Sequence, residues 1–219
     1  LCGAGATNTA ALAFGGSVPS YASITEQWDG TNWTEVADLN TGRDEGMSAG
    51  IYTAALAIGG LAPPYTAKTE NWDGSSWTEI ADLATARGQG LSSAGTNTAA
   101  FAAGGNPGNL TSMEVFTAAT VFSQINLGQV YFNSTTNTFK VTEQPIPGGT
   151  WASSVNVNTA RGWGILGQFG NPTAALLVGG RGAGGPSSTK YTNTESWNGS
   201  AWTEVNDLNS ARHAGGGAV

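Results

Sequence analysis

The stretch from Thr53 to Arg87 reads T-A-A-L-A-I-G-G, a short loop, then T-E-N-W-D-G-S-S-W-T-E-I-A-D-L-A-T-A-R. The same order of double glycine, glutamate, paired tryptophans and closing arginine appears at Thr9 to Arg43, and with changes at Thr98 to Arg161 and Thr173 to Arg212. Recurrence at a period of twenty to fifty residues limits a fold more than composition does. Each unit is then one supersecondary element that buries its apolar face on its neighbours, as in a solenoid, a propeller or an array. The second glycine of the pair falls at Gly16, Gly60, Gly105 and Gly180, in steps of 44, 45 and 75. The third unit is therefore about thirty residues too long.

Within a unit the signals are those of strands. T-A-A-L-A-F-G-G runs apolar for the length of one buried strand and stops at glycine, with no helical period. Thr25-Glu26-Gln27-Trp28 and Trp33-Thr34-Glu35-Val36 are two further strands, joined at Asp29-Gly30, a dipeptide suited to a tight hairpin turn. The small apolar stretch after each arginine, such as Gly46-Met47-Ser48-Ala49-Gly50, supplies a fourth. Four short antiparallel strands per unit make a propeller blade.

The expected organisation is a single domain over residues 1–219, in units 1–43, 44–87, 88–161 and 162–219. The third unit departs after Met113-Glu114-Val115-Phe116. A segment of about 121–149 lies where a W-D-G turn is due, with two alternating runs around Asn133-Ser134-Thr135-Thr136-Asn137. Either this hairpin and the strand at Trp151 form a degenerate fifth blade, or four blades carry a hairpin insertion. Five is the favoured reading, because the 75-residue step holds enough strand for nearly two units. Gly215 to Val219 align with the first strand of a further unit, so the chain reads as part of a longer one.

These motifs resemble the kelch repeat: a diglycine after an apolar strand (Gly15-Gly16, Gly59-Gly60, Gly104-Gly105, Gly179-Gly180), an acidic residue just ahead of an aromatic, a second tryptophan, and an arginine before the next strand. The resemblance covers nearly the whole chain outside the extra segment, and it implies an all-β, kelch-like β-propeller of four-stranded antiparallel blades. The wording W-D-G-x-x-W-T-E-[VI]-x-D-L is similar to the kelch-type repeats of bacteriophage and marine viral structural proteins. That likeness implies a virion or extracellular location.

Composition narrows the partners. Charged residues are 11% of the chain and the net charge is −7, while the three lysines, Lys68, Lys140 and Lys190, lie far apart. Nucleic-acid binding needs clustered cations, so it is not expected. No apolar run is long enough to span a membrane as a helix. One cysteine and one histidine, Cys2 and His213, give neither a disulfide framework nor a zinc or copper ligand set, and no cofactor is expected.

The repeated residues are the first candidates for chemistry: Glu26, Glu70, Glu114 and Glu195, with Arg43, Arg87, Arg161 and Arg212. Equal recurrence argues for structure instead, since catalysis needs one asymmetric constellation. The tryptophan pairs, Trp28 with Trp33, Trp72 with Trp77 and Trp197 with Trp202, read as fillers between blades rather than sugar platforms. Paired carboxylates such as Glu35 and Asp38 also repeat, which places them on a solvated outer strand rather than across a glycosidase cleft.

Variable loops follow the diglycines, and loops on a rigid scaffold are where binding is usually placed. The aromatic residues outside the paired pattern, Trp151, Trp163, Tyr21, Tyr65 and Tyr131, are the candidate binding residues. The expected function is a non-enzymatic structural or binding propeller in a virion tail, fibre or capsid-decorating protein. Its partners would be other virion or surface proteins or host-surface glycans, with oligomerisation compatible. A strict lectin and a polysaccharide-acting enzyme are the alternatives.

Overall fold

The computed structural model describes residues 1–17, 20–119, 130–133, 138–141, 148–162, 170–182 and 189–213, with backbone alone at 90–92, 130–133 and 138–141. No helix occurs among the described residues. The chain folds into four-stranded antiparallel sheets taken in sequence order, a propeller-like all-β arrangement of blades.

The first blade contains β1 (Cys2–Thr7), β2 (Ala10–Phe14), β3 (Thr25–Trp28) and β4 (Trp33–Glu35). The second contains β5 (Met47–Ile51), β6 (Ala54–Ile58), β7 (Thr69–Trp72) and β8 (Trp77–Glu79). In the third, β9 (Gly88–Gly95), β10 (Ala99–Asn106) and β11 (Met113–Ala118) are completed by β14 (Gly149–Ser154). The fourth contains β15 (Gly170–Asn171), β16 (Ala174–Val178), β17 (Thr194–Trp197) and β18 (Trp202–Val205). The first strands pack side by side, β1 on β5, β5 on β9 and β9 on β15, which makes the stretch after each arginine the inner strand of its blade.

Among the described residues the blades number four, and the favoured reading of five is corrected. The extra segment contributes β12 (Val130–Asn133) and β13 (Thr138–Val141), a two-stranded sheet of their own. The strand at Trp151 is the outer strand of the third blade, paired to β11 with Phe116 opposite Trp151. In the second blade Trp72 stands opposite Trp77 in the same way. The insertion therefore replaces only the turn between third and fourth strands: Phe116 and Trp151 are 35 positions apart where Trp72 and Trp77 are five apart. Strand signals there are real, but they complete no blade.

That turn is also wider than a two-residue hairpin. Asp29 to Asn32 form a loop in which the Asp29 carboxylate accepts the backbone N–H groups of Thr31 and Asn32, each at 2.7 Å. Asp73 does the same for Ser75 and Ser76, and the Asn198 amide oxygen for Ser200 and Ala201. The side chain supplies the acceptor that the tight bend denies these donors.

The diglycine has a specific cause. Gly59 sits at φ +56° and a Cβ there would come within 2.4 Å of the Arg87 carbonyl oxygen, so only glycine fits. The next N–H, from Gly60, donates to that same carbonyl at 2.8 Å. Gly16 with Arg43 and Gly180 with Arg212 repeat the bond at 2.8 and 2.9 Å. The first, second and fourth units are thereby closed on themselves by backbone alone.

Each blade has two faces, because successive side chains on a strand point oppositely. On what we term the leading face, register aligns Ala57 with Glu70 and Glu79, and Ala55 with Trp72 and Trp77. The trailing face carries Leu12, Phe14 and Thr25 in the first blade, and Leu56, Ile58 and Thr69 in the second. Among the described residues the core is divided accordingly into three clusters, one per joint between adjacent blades. Leu12, Phe14 and Leu39 meet Ala55, Ala57, Trp72 and Trp77 in the first. Leu56, Ile58 and Leu83 meet Ala100, Ala102 and Phe116 in the second, and Phe101, Ala103 and Val157 meet Ala175, Leu177, Trp197 and Trp202 in the third.

Candidate functional site

The repeated charged residues meet across these joints, pairing the arginine that ends one unit with the glutamate in the third strand of the next. Arg43 pairs with Glu70, Arg87 with Glu114 at 2.8 Å, and Arg161 with Glu195, all six side chains being buried. Each guanidinium also donates to two backbone carbonyls of the next blade. Arg87 Nη1 reaches Gly104 at 3.2 Å and Ser112 at 2.8 Å, and Arg161 Nη1 reaches Gly179 at 3.1 Å and Asn193 at 2.9 Å. Burial pulls the Arg87 guanidinium below its ordinary pKa, and the Glu114 carboxylate opposes this. A forked, planar cation is suited to one carboxylate and two carbonyls together.

The carboxylates do a second job. Glu70 accepts the backbone N–H of Asn40 at 2.7 Å and of Thr41 at 3.3 Å. Glu114 accepts those of Ala84 and Thr85, and Glu195 those of Asn158 and Thr159. Asn40 and Asn158 each donate a side-chain N–H to a carbonyl on the next blade, at Trp77 and Trp202. The run from the Asp-Leu pair to the arginine is thus a donor-rich strap that the neighbouring glutamate holds.

The tryptophans divide their work. The first of each pair bonds its own blade, as Trp72 Nε1 does to the Tyr52 carbonyl at 3.0 Å. The second reaches the neighbour: Trp77 Nε1 donates to Thr25 Oγ1 at 3.0 Å and its ring meets Phe14 at 4.8 Å. Trp151 Nε1 donates to Thr69 Oγ1 at 3.2 Å and its ring pairs with Phe116 at 5.3 Å. Trp151, one of the candidate binding residues, is therefore placed half-buried at a joint between blades. Trp202 Nε1 is buried without a partner because Met113, opposite, occupies the threonine position.

Of the other candidates, Tyr21 and Tyr65 are brought together at the rim where the β2–β3 and β6–β7 loops emerge. The Tyr65 hydroxyl donates to Gln89 Oε1. Burial, the Glu45 carboxylate and Tyr21 all raise the Tyr65 pKa, in that order of size. Glu45 is raised by its own partial burial, against a side-chain hydrogen bond from Gln89, and its Oε2 is shut off from solvent without a partner. Both Glu45 and Gln89 take left-handed backbone, at φ 53° and 52°, uncommon outside glycine. Sequence reasoning passed over these two. The signal available was the position two residues after Arg43, Arg87 and Arg161, which holds Glu45, Gln89 and Trp163 in turn, each followed by glycine.

Trp163 lies outside the described residues, and Tyr131 is described in backbone only. The hairpin that carries Tyr131 leaves the third blade from the end opposite the Tyr21 and Tyr65 loops, since it joins β11 to β14 and those loops join second strands to third. Among the described residues no group of three or more His, Cys, Asp or Glu gathers so as to hold a metal ion. Compared with protein-family models and with curated proteins, the chain matches neither a family model nor a curated relative.

Proposed function

We propose that the chain is a non-enzymatic, kelch-type propeller that serves as a structural and binding module, attaching a virion tail, fibre or capsid surface to a protein or a host glycan. The observation that carries this reading is the engagement of Glu70, Glu114 and Glu195 by Arg43, Arg87 and Arg161 in three equivalent buried joints. The residues that look most like catalytic machinery hold blades together, and variation is left to the rim. There Tyr21, Tyr65, Glu45 and Gln89 combine two phenol rings with hydrogen-bonding groups. Such a mixture suits ligands that present both a flat apolar face and hydroxyls, as sugar rings do.

The test is a glycan array and a pull-down against the proteins of the native particle, run with the intact chain and with a Tyr21→Ala, Tyr65→Ala double variant. Binding that the double variant loses supports the reading. Turnover of a polysaccharide that Glu45→Gln abolishes would replace it with the hydrolase alternative.

A further inference from the structure

The sequence contains one Asn-Gly pair, Asn198-Gly199, in the turn between β17 and β18 where the first two blades carry Asp29-Gly30 and Asp73-Gly74. Both residues are exposed. The Asn198 side-chain oxygen accepts three hydrogen bonds, from the Ser200 N–H at 3.0 Å, the Ser200 hydroxyl at 2.9 Å and the Ala201 N–H at 2.9 Å. Among the described residues the Gly199 N–H donates to no acceptor, and neither does the Asn198 amide nitrogen. The ring closed by the Ser200 N–H on Oδ1 contains both Cγ of Asn198 and the nitrogen of Gly199. The side chain is thereby folded back over the peptide that follows it.

We infer that Asn198 modifies itself: in the folded chain the Gly199 nitrogen attacks its Cγ, and the amide becomes the aspartate that the first two blades already carry. The N–Cγ bond forms as the Gly199 nitrogen gives up its proton to solvent, and the side-chain nitrogen takes up a proton and leaves as ammonia. Water then adds to Cγ of the cyclic imide and breaks the new N–Cγ bond, which restores the peptide and leaves a carboxylate. Nothing is oxidised or reduced. The negative charge of the first step develops on Oδ1, where two backbone N–H groups and a hydroxyl already point, as donors do in an oxyanion hole. Glycine favours the attack because no Cβ crowds its nitrogen.

Asn171 supplies the contrast within the same blade. Its side-chain oxygen takes the same set of donors, the Thr173 N–H at 2.8 Å, the Thr173 hydroxyl at 2.7 Å and the Ala174 N–H at 3.0 Å. The next residue is Pro172, which has no N–H to give up, so Asn171 stays an amide.

The product suits its place. Asp29 and Asp73 hold this turn through the same two backbone donors, so hydrolysis at Cγ returns a turn the fold already uses. Hydrolysis at the other carbonyl would instead lengthen the backbone between Trp197 and Trp202, which stand opposite one another. Aspartate is therefore the product the folded chain keeps, and one negative charge is added to the net −7. The turn joins third strand to fourth, at the end of the blade opposite the Tyr21 and Tyr65 loops, so the inference is independent of the binding role proposed above.

The test incubates the intact chain in mildly alkaline buffer, folded or unfolded in guanidinium chloride. Tandem mass spectrometry follows the replacement of NH2 by OH at position 198, and an aspartate-specific protease separates aspartate from its backbone-lengthened isomer. Conversion is expected to be at least about ten-fold faster in the folded chain, to give aspartate, and to spare Asn171. Ser200→Ala removes the hydroxyl donor and keeps both backbone donors, and it should slow the folded chain several-fold. Ser200→Ala and Asn198→Asp should both melt with wild type. A folded chain that converts no faster than the unfolded one overturns the inference. So does Ser200→Ala at the wild-type rate, or the isomer as the main product of the folded chain.

Discussion

Arg87, the last residue of the second unit, meets Glu114 in the third blade at 2.8 Å, with both side chains out of reach of solvent. The same guanidinium bonds the Thr85 carbonyl from Nε and Ser112 Oγ from Nη2, so its donors are engaged on every side. A buried charge pair is costly to break because the surviving partner is left uncompensated. Arg87→Ala is therefore expected to destabilise the chain by about 3–5 kcal/mol, and Arg87→Lys by less, since the ammonium keeps the charge but not the fork. Arg212→Ala should leave the isolated chain's stability unchanged. Urea unfolding of the three variants measures the contrast, and equal losses at positions 87 and 212 would contradict it.

The place of the insertion yields a second prediction. Phe116 and Trp151 stand opposite one another as Trp72 and Trp77 do, so residues 117–150 bridge a gap that four residues span in the second blade. Replacing them with Asp-Gly-Ser-Ser should give a folded chain whose melting temperature lies within about 5 °C of wild type, a change of one or two kcal/mol at this size. A fifth blade at this place would leave its neighbours' faces bare on deletion and unfold the chain. Thermal unfolding by circular dichroism distinguishes the two.

The period fixed strand order in advance because every unit carries its own turn chemistry, from the diglycine to the Asp-Gly bend. What the period did not reveal is the partner of each charge. Arg43 and Glu70 lie in different units, and recurrence alone does not say whether an arginine serves its own blade or the next. Blade number was misread for a local reason: alternation in Val130–Asn133 and Thr138–Val141 marks a hairpin wherever it occurs. The absence of the W-D-G wording after Phe116 concealed that the strand at Trp151 completes the same blade. The rim pair Glu45 and Gln89 was missed because a lone polar residue at the start of an inner strand looks like noise until the structure sets Tyr65 against it.

Asp29 gives the chain a defined response to acid. The N–H groups of Asn32 and Thr31, in that order, hold its carboxyl below the ordinary value of 3.8. A folded-state value below the unfolded one contributes stability that is fully present above the unfolded value and is lost as pH falls through the folded one. Asn198 fills the same turn position with a neutral amide oxygen. Asp29→Asn should therefore keep the turn and remove this part of the pH dependence. The stability difference between wild type and variant is expected to be constant from neutrality down to about pH 5 and to shift against wild type below about pH 4. Urea midpoints across that range test it, and a difference independent of pH would show that the turn holds no proton-linked stability.

Trp33 and Trp77 occupy equivalent places in adjacent blades and have opposite surroundings. Trp77 is packed between Trp72 at 5.3 Å and Phe14 at 4.8 Å and bonds Thr25 across the joint. Among the described residues Trp33 keeps only the first of these contacts, to Trp28 at 5.5 Å, and half of its surface faces solvent. Trp77→Ala leaves a cavity the width of an indole between two blades and should cost about 3–5 kcal/mol. Trp33→Ala leaves none in the single chain and should cost under about 1 kcal/mol. Equilibrium unfolding followed by far-ultraviolet circular dichroism, at a concentration where the chain is monomeric, is the appropriate measure. A large loss from Trp33→Ala under those conditions would mean that the first blade's leading face is already covered within one chain.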